Sequence, residues 1–92
     1  MATPVIFKKF EGEITAVFPA MAATVGEPWH MNCYAHIGQH GAASVEWVRK
    51  AKPVKPHEYA ALLSELKSIG YDDLVIRHRM TRADYLERKR AA

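Results

Sequence analysis

The chain has 92 residues, 49% of them hydrophobic and 25% charged, with a formal net charge of +3 and a single cysteine. That length holds one small domain near the lower end of what folds without staples, and the composition excludes a disordered chain. One cysteine excludes an internal disulfide, and the most apolar window, residues 17–25, is too short to span a bilayer and contains Pro19.

Residues 4–9 and 14–18, "PVIFKK" and "ITAVF", are rich in β-branched and aromatic residues, and the "FEGE" between them supplies Gly12 for a tight turn. This predicts a β-hairpin with Ile14, Ala16 and Phe18 on one face of its second strand, Thr15 and Val17 on the other, and Pro19 at its end. Residues 20–28 read as a connection. Residues 29–37 read as a third strand with Trp29, Met31, Cys33, Ala35 and Ile37 on one side and His30, Asn32, Tyr34 and His36 on the other. "GQHGAAS" reads as a loop and residues 44–49, "SVEWVR", as a short fourth strand, although Val45 and Val48 break its alternation.

After the linker "KPVKP", Tyr59, Leu62, Leu63, Leu66 and Ile69 fall at helical spacing, with Pro56 suited to the first helical position and Gly70 to the C-terminal cap. "DLVIRHR" predicts a fifth strand. Thr81 and Asp84 form a capping-box start to a polar helix through Arg90. The expected architecture is α+β: a small antiparallel sheet of about four to five strands, one main amphipathic helix packed on one face, and the other face left to carry a site. The division is a single domain over residues 1–80 and a basic C-terminal helix or tail over 81–92. With Lys8 and Lys9 following the short N-terminal apolar run, nothing at that end reads as a signal peptide, so the expected location is the cytoplasm.

Three histidines and the cysteine fall within residues 30–40, "HMNCYAHIGQH". The spacings His30-x-x-Cys33 and His36-x-x-x-His40 occur in zinc sites. On a strand, however, Cys33 faces away from the histidines, and His30 and His36 stand about 20 Å apart. Only His36 and His40 share reach of one ion, if the loop folds back, and a third ligand would have to come from elsewhere in the chain, with His57 and Glu58 as candidates. A cysteine nucleophile needs a histidine on its own side. Ser44 lacks a glycine-flanked elbow, and no carboxylate pair suggests a glycosidase. What remains is a binding surface of imidazole, phenol, amide and loop N–H groups, with Gly38 and Gly41 admitting a ligand close to the backbone. The opposing interpretation is a solvated strand face ending in a hairpin turn.

The charge is uneven: residues 77–90 carry six basic residues against two acidic ones, a local +4 that exceeds the total for the chain. This marks Arg77, Arg79, Arg88, Lys89 and Arg90 as candidate phosphate or nucleic-acid contacts. A solvated helix end has the same composition, and no aromatic residue interleaves the terminal basic run.

"VIFKKFEGEITAVFP", "CYAHIGQHGA" and "EYAALLSELKSIGYDDLVIRHR" together resemble a family of short uncharacterised bacterial and phage proteins with a Y-x-H-[IV]-G-Q-H motif. The resemblance covers most of residues 4–79. Ala20 stands where the family pattern has an acidic residue, and the basic tail after Arg79 is longer. The resemblance implies that Tyr34, His36, Gly38, Gln39 and His40 serve as ligand-binding residues, in a non-enzymatic phage-type protein that inhibits or modulates a host defence system. Its partner would be a host protein or a small nucleotide-like ligand, with no cofactor and no membrane. Two alternatives stand beside it. One is a metal-dependent or hydrolytic enzyme using His36 and His40; the other is a nucleic-acid-binding accessory protein using the basic arm. A homodimer that buries Trp29, Trp47 or a sheet edge is a further expectation.

Overall fold

In the computed structural model, which describes residues 2–10, 12–24, 27–35 and 39–91, β1 (Thr3–Phe10) and β2 (Glu13–Thr24) pair antiparallel from Phe10↔Glu13 to Ile6↔Val17. Gly12 turns the hairpin at a φ of 82°, a left-handed conformation that side chains disfavour. The strand does not stop at Pro19 as expected. It continues to Thr24, and its register against β3 (Glu27–Ala35) shifts between Phe18 and Ala22. Pro19 has no N–H for the ladder, so it is accommodated where the ladder is already irregular.

Two further expectations are corrected. Gln39–Ser44 is not a loop but a strand, β4, antiparallel to β3 from Ala35↔Gln39 to His30↔Ser44. Its Gly, Ala and Ser residues have little strand propensity, and the pairing with β3 supplies what propensity does not. Val45–Lys50 is not a strand but a helix, α1, whose N-cap Ser44 accepts the Trp47 N–H at 3.1 Å. Val45 and Val48, one turn apart, both pack toward a cluster of Val17, Met31 and Ala43; their spacing was the helical signal. The sheet runs β4-β3-β2-β1-β5, where β5 is Lys52–Pro53. Because β4 and β5 lie at opposite edges, the chain between them crosses one face of the sheet, and α1 is part of that crossing.

The opposite face carries α2 (Pro56–Ser68), the helix expected from its periodicity. It buries Tyr59, Leu62 and Leu66 on Val5, Phe7, Ala16, Phe18 and Tyr34. Phe7 stacks on Tyr59 at 4.2 Å between ring centroids, and Phe18 on Tyr71 at 4.9 Å. Gly70 closes the helix at a φ of 117°, with the Tyr71 N–H donating to the Leu66 carbonyl at 3.1 Å. At the other end, Glu58 accepts the Lys55 N–H at 3.2 Å and pairs with Lys9 on β1 at 3.3 Å.

The hydrogen bond from Lys55, followed by the one from Lys9, holds the Glu58 carboxyl below its ordinary pKa of 4.5. A carboxylate whose pKa is depressed in the fold stabilises it above the unfolded value, and that contribution is lost as pH falls through the lower, folded value. Urea unfolding of the wild type and of Glu58→Gln should therefore give a stability gap at neutral pH that closes as the medium is acidified below 4.5.

β6 (Leu74–Arg77) joins the far edge of β1, parallel to it, from Thr3↔Leu74 to Ile6↔Arg77. It is thus separated from β3 by two strands, and Arg77 does not approach the histidine stretch across neighbouring strands. The chain then returns over the face crossed by α1 and ends in α3 (Arg82–Ala91), which lies against β2 and β3. The capping box forms as expected: Asp84 accepts the Thr81 N–H at 2.8 Å and Thr81 Oγ1 accepts the Asp84 N–H at 3.2 Å. Neither face of the sheet is left open, in contrast to the expectation of one bare face.

Among the described residues of the segment expected as a basic tail, one side of α3 is packed, at Asp84 and Arg88, and the rest is largely exposed. Asp84 and Arg88 are each only 3% exposed, and Arg88 donates to the Pro19 carbonyl at the irregular point of β2. Burial lowers the Arg88 pKa, and the Asp84 carboxylate one turn earlier opposes that shift. Arg88→Met keeps the bulk and removes the donor, so it should cost about 1.5–3 kcal/mol. That is a drop in melting temperature on the order of 10 °C for a domain of this size.

Candidate functional site

The strand face singled out by the sequence divides as predicted but is used differently. Met31 and Cys33 join the cluster under α1, while Tyr34 joins the core under α2, opposite the small Ala16 on β2. Tyr34 is 2% exposed and its hydroxyl donates to Glu65 of α2. Asn32 is half-buried and His30 exposed. His36 and Gly38 lie outside the described residues. Gln39 and His40 are placed only by the backbone pairing of β4, with His40 directly across from Tyr34.

Cys33 is half-buried against β4, where a Cβ on Gly41 would lie 3.6 Å from its sulfur. Burial raises its thiol pKa above the ordinary 9.0, and a backbone hydrogen bond at Gly41 opposes this only in part. A thiol in that state is a small hydrophobe rather than a nucleophile. Among the described residues no group of three His, Cys, Asp or Glu side chains is arranged to hold a metal ion.

The basic residues are brought together elsewhere, on the face that α1 and α3 share. A cleft of about 290 Å³ is lined by Lys8, Val48, Arg49, His78, Arg79 and Met80. Each comes from a separate decision of the fold. Lys8 is on the side of β1 opposite Val5 and Phe7, so it emerges on this face. Arg49 lies in the last turn of α1, one residue beyond the buried Val48. His78, Arg79 and Met80 belong to the connection that carries the chain from β6 over to α3.

A second cleft of about 350 Å³ shares Arg49 and Met80 with the first and continues past Thr81 and Arg82 to Trp29 and Tyr85. Trp29 is 60% exposed. Its ring meets that of Tyr85 at 5.6 Å with a tilt of 36°, and the Arg88 guanidinium carbon is 5.7 Å from the centre of the Tyr85 ring. The two clefts thus form one groove. Lys8, Arg49, Arg79 and Arg82, with the buried Arg88 behind Tyr85, bring formal positive charge to its lining and no described carboxylate lines it. Asp84, the acidic residue of the first turn of α3, is turned to Arg77, 3.5 Å away.

Of the groove residues the sequence marks Arg79 and Arg88, but not Lys8, Arg49, His78 or Arg82, and it singles out Trp29 as surface for a dimer to cover. Of the marked basic residues, Arg77 faces Asp84, Arg88 is buried, and Arg90 pairs with Glu87 at 2.9 Å; Lys89 is exposed. The local charge excess was the available signal, but its spatial partners on β1 and α1 are far away in sequence.

The fold and this groove define a small α+β protein with one cation-lined, aromatic-ended cleft. Comparison with family models, with curated proteins and with solved structures gives no match. No helix among the described residues is long and apolar enough to cross a membrane.

Proposed function

We propose that this is a non-enzymatic binding protein that holds a phosphate-bearing ligand in the groove between α1, the 78–81 connection and α3. The observation that carries the reading is the sign of the lining: five formal cations, one of them the buried Arg88, and a histidine, with no described carboxylate, in a chain that has ten acidic residues. Guanidinium groups are suited to phosphate oxygens because their planar donors match them two at a time. Cations gathered in a cleft also reinforce one another's field more than the same charges spread over a surface.

This reading retains the nucleic-acid alternative raised by the basic C-terminal half and moves its contacts from the terminal run to the groove. A host-directed role rests on the motif resemblance alone and adds nothing to the chemistry of the cleft.

Inorganic polyphosphate is the simplest probe. Calorimetric titration should show binding to the wild type at low salt that weakens steeply as salt is added. An Arg49→Ala/Arg79→Ala variant, altered only at exposed positions, should melt like the wild type and bind much more weakly. Equal binding by the two proteins would sink the proposal.

A further inference from the structure

We infer that the ligand of the groove is single-stranded nucleic acid, with bases stacking on Trp29 and the backbone phosphates following the cations from Arg82 to Arg49, Arg79 and Lys8; this rests on the phosphate-binding reading above. The supporting juxtaposition is a ring platform and a phosphate track in one continuous depression, with Arg49 and Met80 forming the wall common to both halves.

Trp29 is the first element. An indole 60% exposed on a domain this small leaves a large apolar face in water, whereas Phe7, Phe18, Tyr34 and Tyr59 are all at or below 7% exposure and Trp47, Tyr71 and Tyr85 are partly buried. The ring is not an isolated surface side chain. Tyr85 supports it from α3, and Arg88, itself tied to the Pro19 carbonyl, flanks Tyr85 in turn. A platform held from behind in this way loses little freedom when a base stacks on it.

The second element is the distribution of charge. A mononucleotide would occupy one half of the groove, but cations line both halves, with Arg82 beside the rings and Lys8 and Arg79 in the other half. That arrangement matches a repeating sugar-phosphate chain. A duplex presents phosphates to such a track but keeps its base faces stacked inside, where Trp29 has no access to them. Inorganic polyphosphate presents charge and no ring. Only an unpaired strand uses both elements, and because every base has a flat face the expected sequence preference is weak.

The test is fluorescence anisotropy with a labelled oligothymidylate, competed by unlabelled single strand, duplex, inorganic polyphosphate and ATP. The single strand should compete best. Trp29→Ala should weaken binding of the single strand by about 5- to 150-fold and leave polyphosphate binding unchanged, while Trp29→Phe retains most of the affinity. Melting curves of both variants verify that the fold is intact.

If Trp29→Ala binds the single strand as the wild type does, or if duplex, polyphosphate or ATP competes equally well, the single-strand assignment is wrong. In that case an effect of Arg49→Ala/Arg79→Ala on polyphosphate would still uphold the phosphate-binding reading. No effect of the arginine pair on any probe overturns both.

Discussion

Tyr34→Ala should lower the unfolding free energy by about 3–5 kcal/mol, the range for removing a buried aromatic ring. The ring lies at the centre of the α2-covered face, among Phe7, Ala16, Phe18 and Leu66, and is 2% exposed. A small domain is stabilised by only about 5–15 kcal/mol in all, so the variant would be close to unfolding at room temperature. Tyr34→Phe separates the two parts of the effect. It keeps the ring and removes only the hydroxyl that donates to Glu65, a charge-assisted bond worth about 1.5–3 kcal/mol. Urea denaturation of both variants checks the order: wild type, then phenylalanine, then alanine. A tyrosine serving to cap a ligand at the surface would give an alanine variant within about 0.5 kcal/mol of wild type.

The second large effect is on binding. For single strands the logarithm of the binding constant falls against the logarithm of salt concentration with a slope of about 0.7 for each phosphate neutralised. With Lys8, Arg49, Arg79 and Arg82 all engaged, the slope should be about −3, and removing Arg49 and Arg79 should halve it. This result separates a phosphate track from an aromatic patch, because loss of Trp29 weakens binding without altering the slope. Anisotropy titrations across a salt series of the wild type, the double arginine variant and Trp29→Ala would resolve the two contributions. A slope unchanged by the arginine substitutions would place the phosphates elsewhere.

The parts of the fold legible in the sequence are those specified locally. The β1–β2 hairpin follows from its residue types and Gly12, α2 from Tyr59, Leu62 and Leu66 between Pro56 and Gly70, and the start of α3 from Thr81 and Asp84. The misread parts depend on partners distant in sequence. β4 is a Gly/Ala/Ser-containing run that becomes a strand through β3, and β2 passes Pro19 because its ladder shifts there. For α1, Val45 and Val48 break the alternation of a strand, and their three-residue spacing is that of a helix capped by Ser44.

The groove was less legible than the fold for the same reason. The alternation of residues 29–35 correctly assigned sides, with Trp29, Met31 and Cys33 opposite Tyr34, but period alone does not say which helix covers which side. Lys8, Arg49 and Arg79 meet only because α1 and the 78–81 connection cross the same face of the sheet, a consequence of β4, β5 and β6 being placed at opposite edges. Arg77 looks like a groove residue in sequence yet faces Asp84, whereas Arg88 lines the groove with its guanidinium tied to the Pro19 carbonyl.

The most direct test of the central claim is amide and indole chemical-shift mapping of the protein by NMR during titration with an unlabelled oligothymidylate. Shifts confined to Lys8, Arg49, residues 78–82, Tyr85 and the Trp29 indole N–H are the result expected of a ligand lying in the groove. Shifts centred on residues 36–41, with the Trp29 indole and Arg49 unmoved, would contradict it and return the site to the histidine-rich end of β3 and β4.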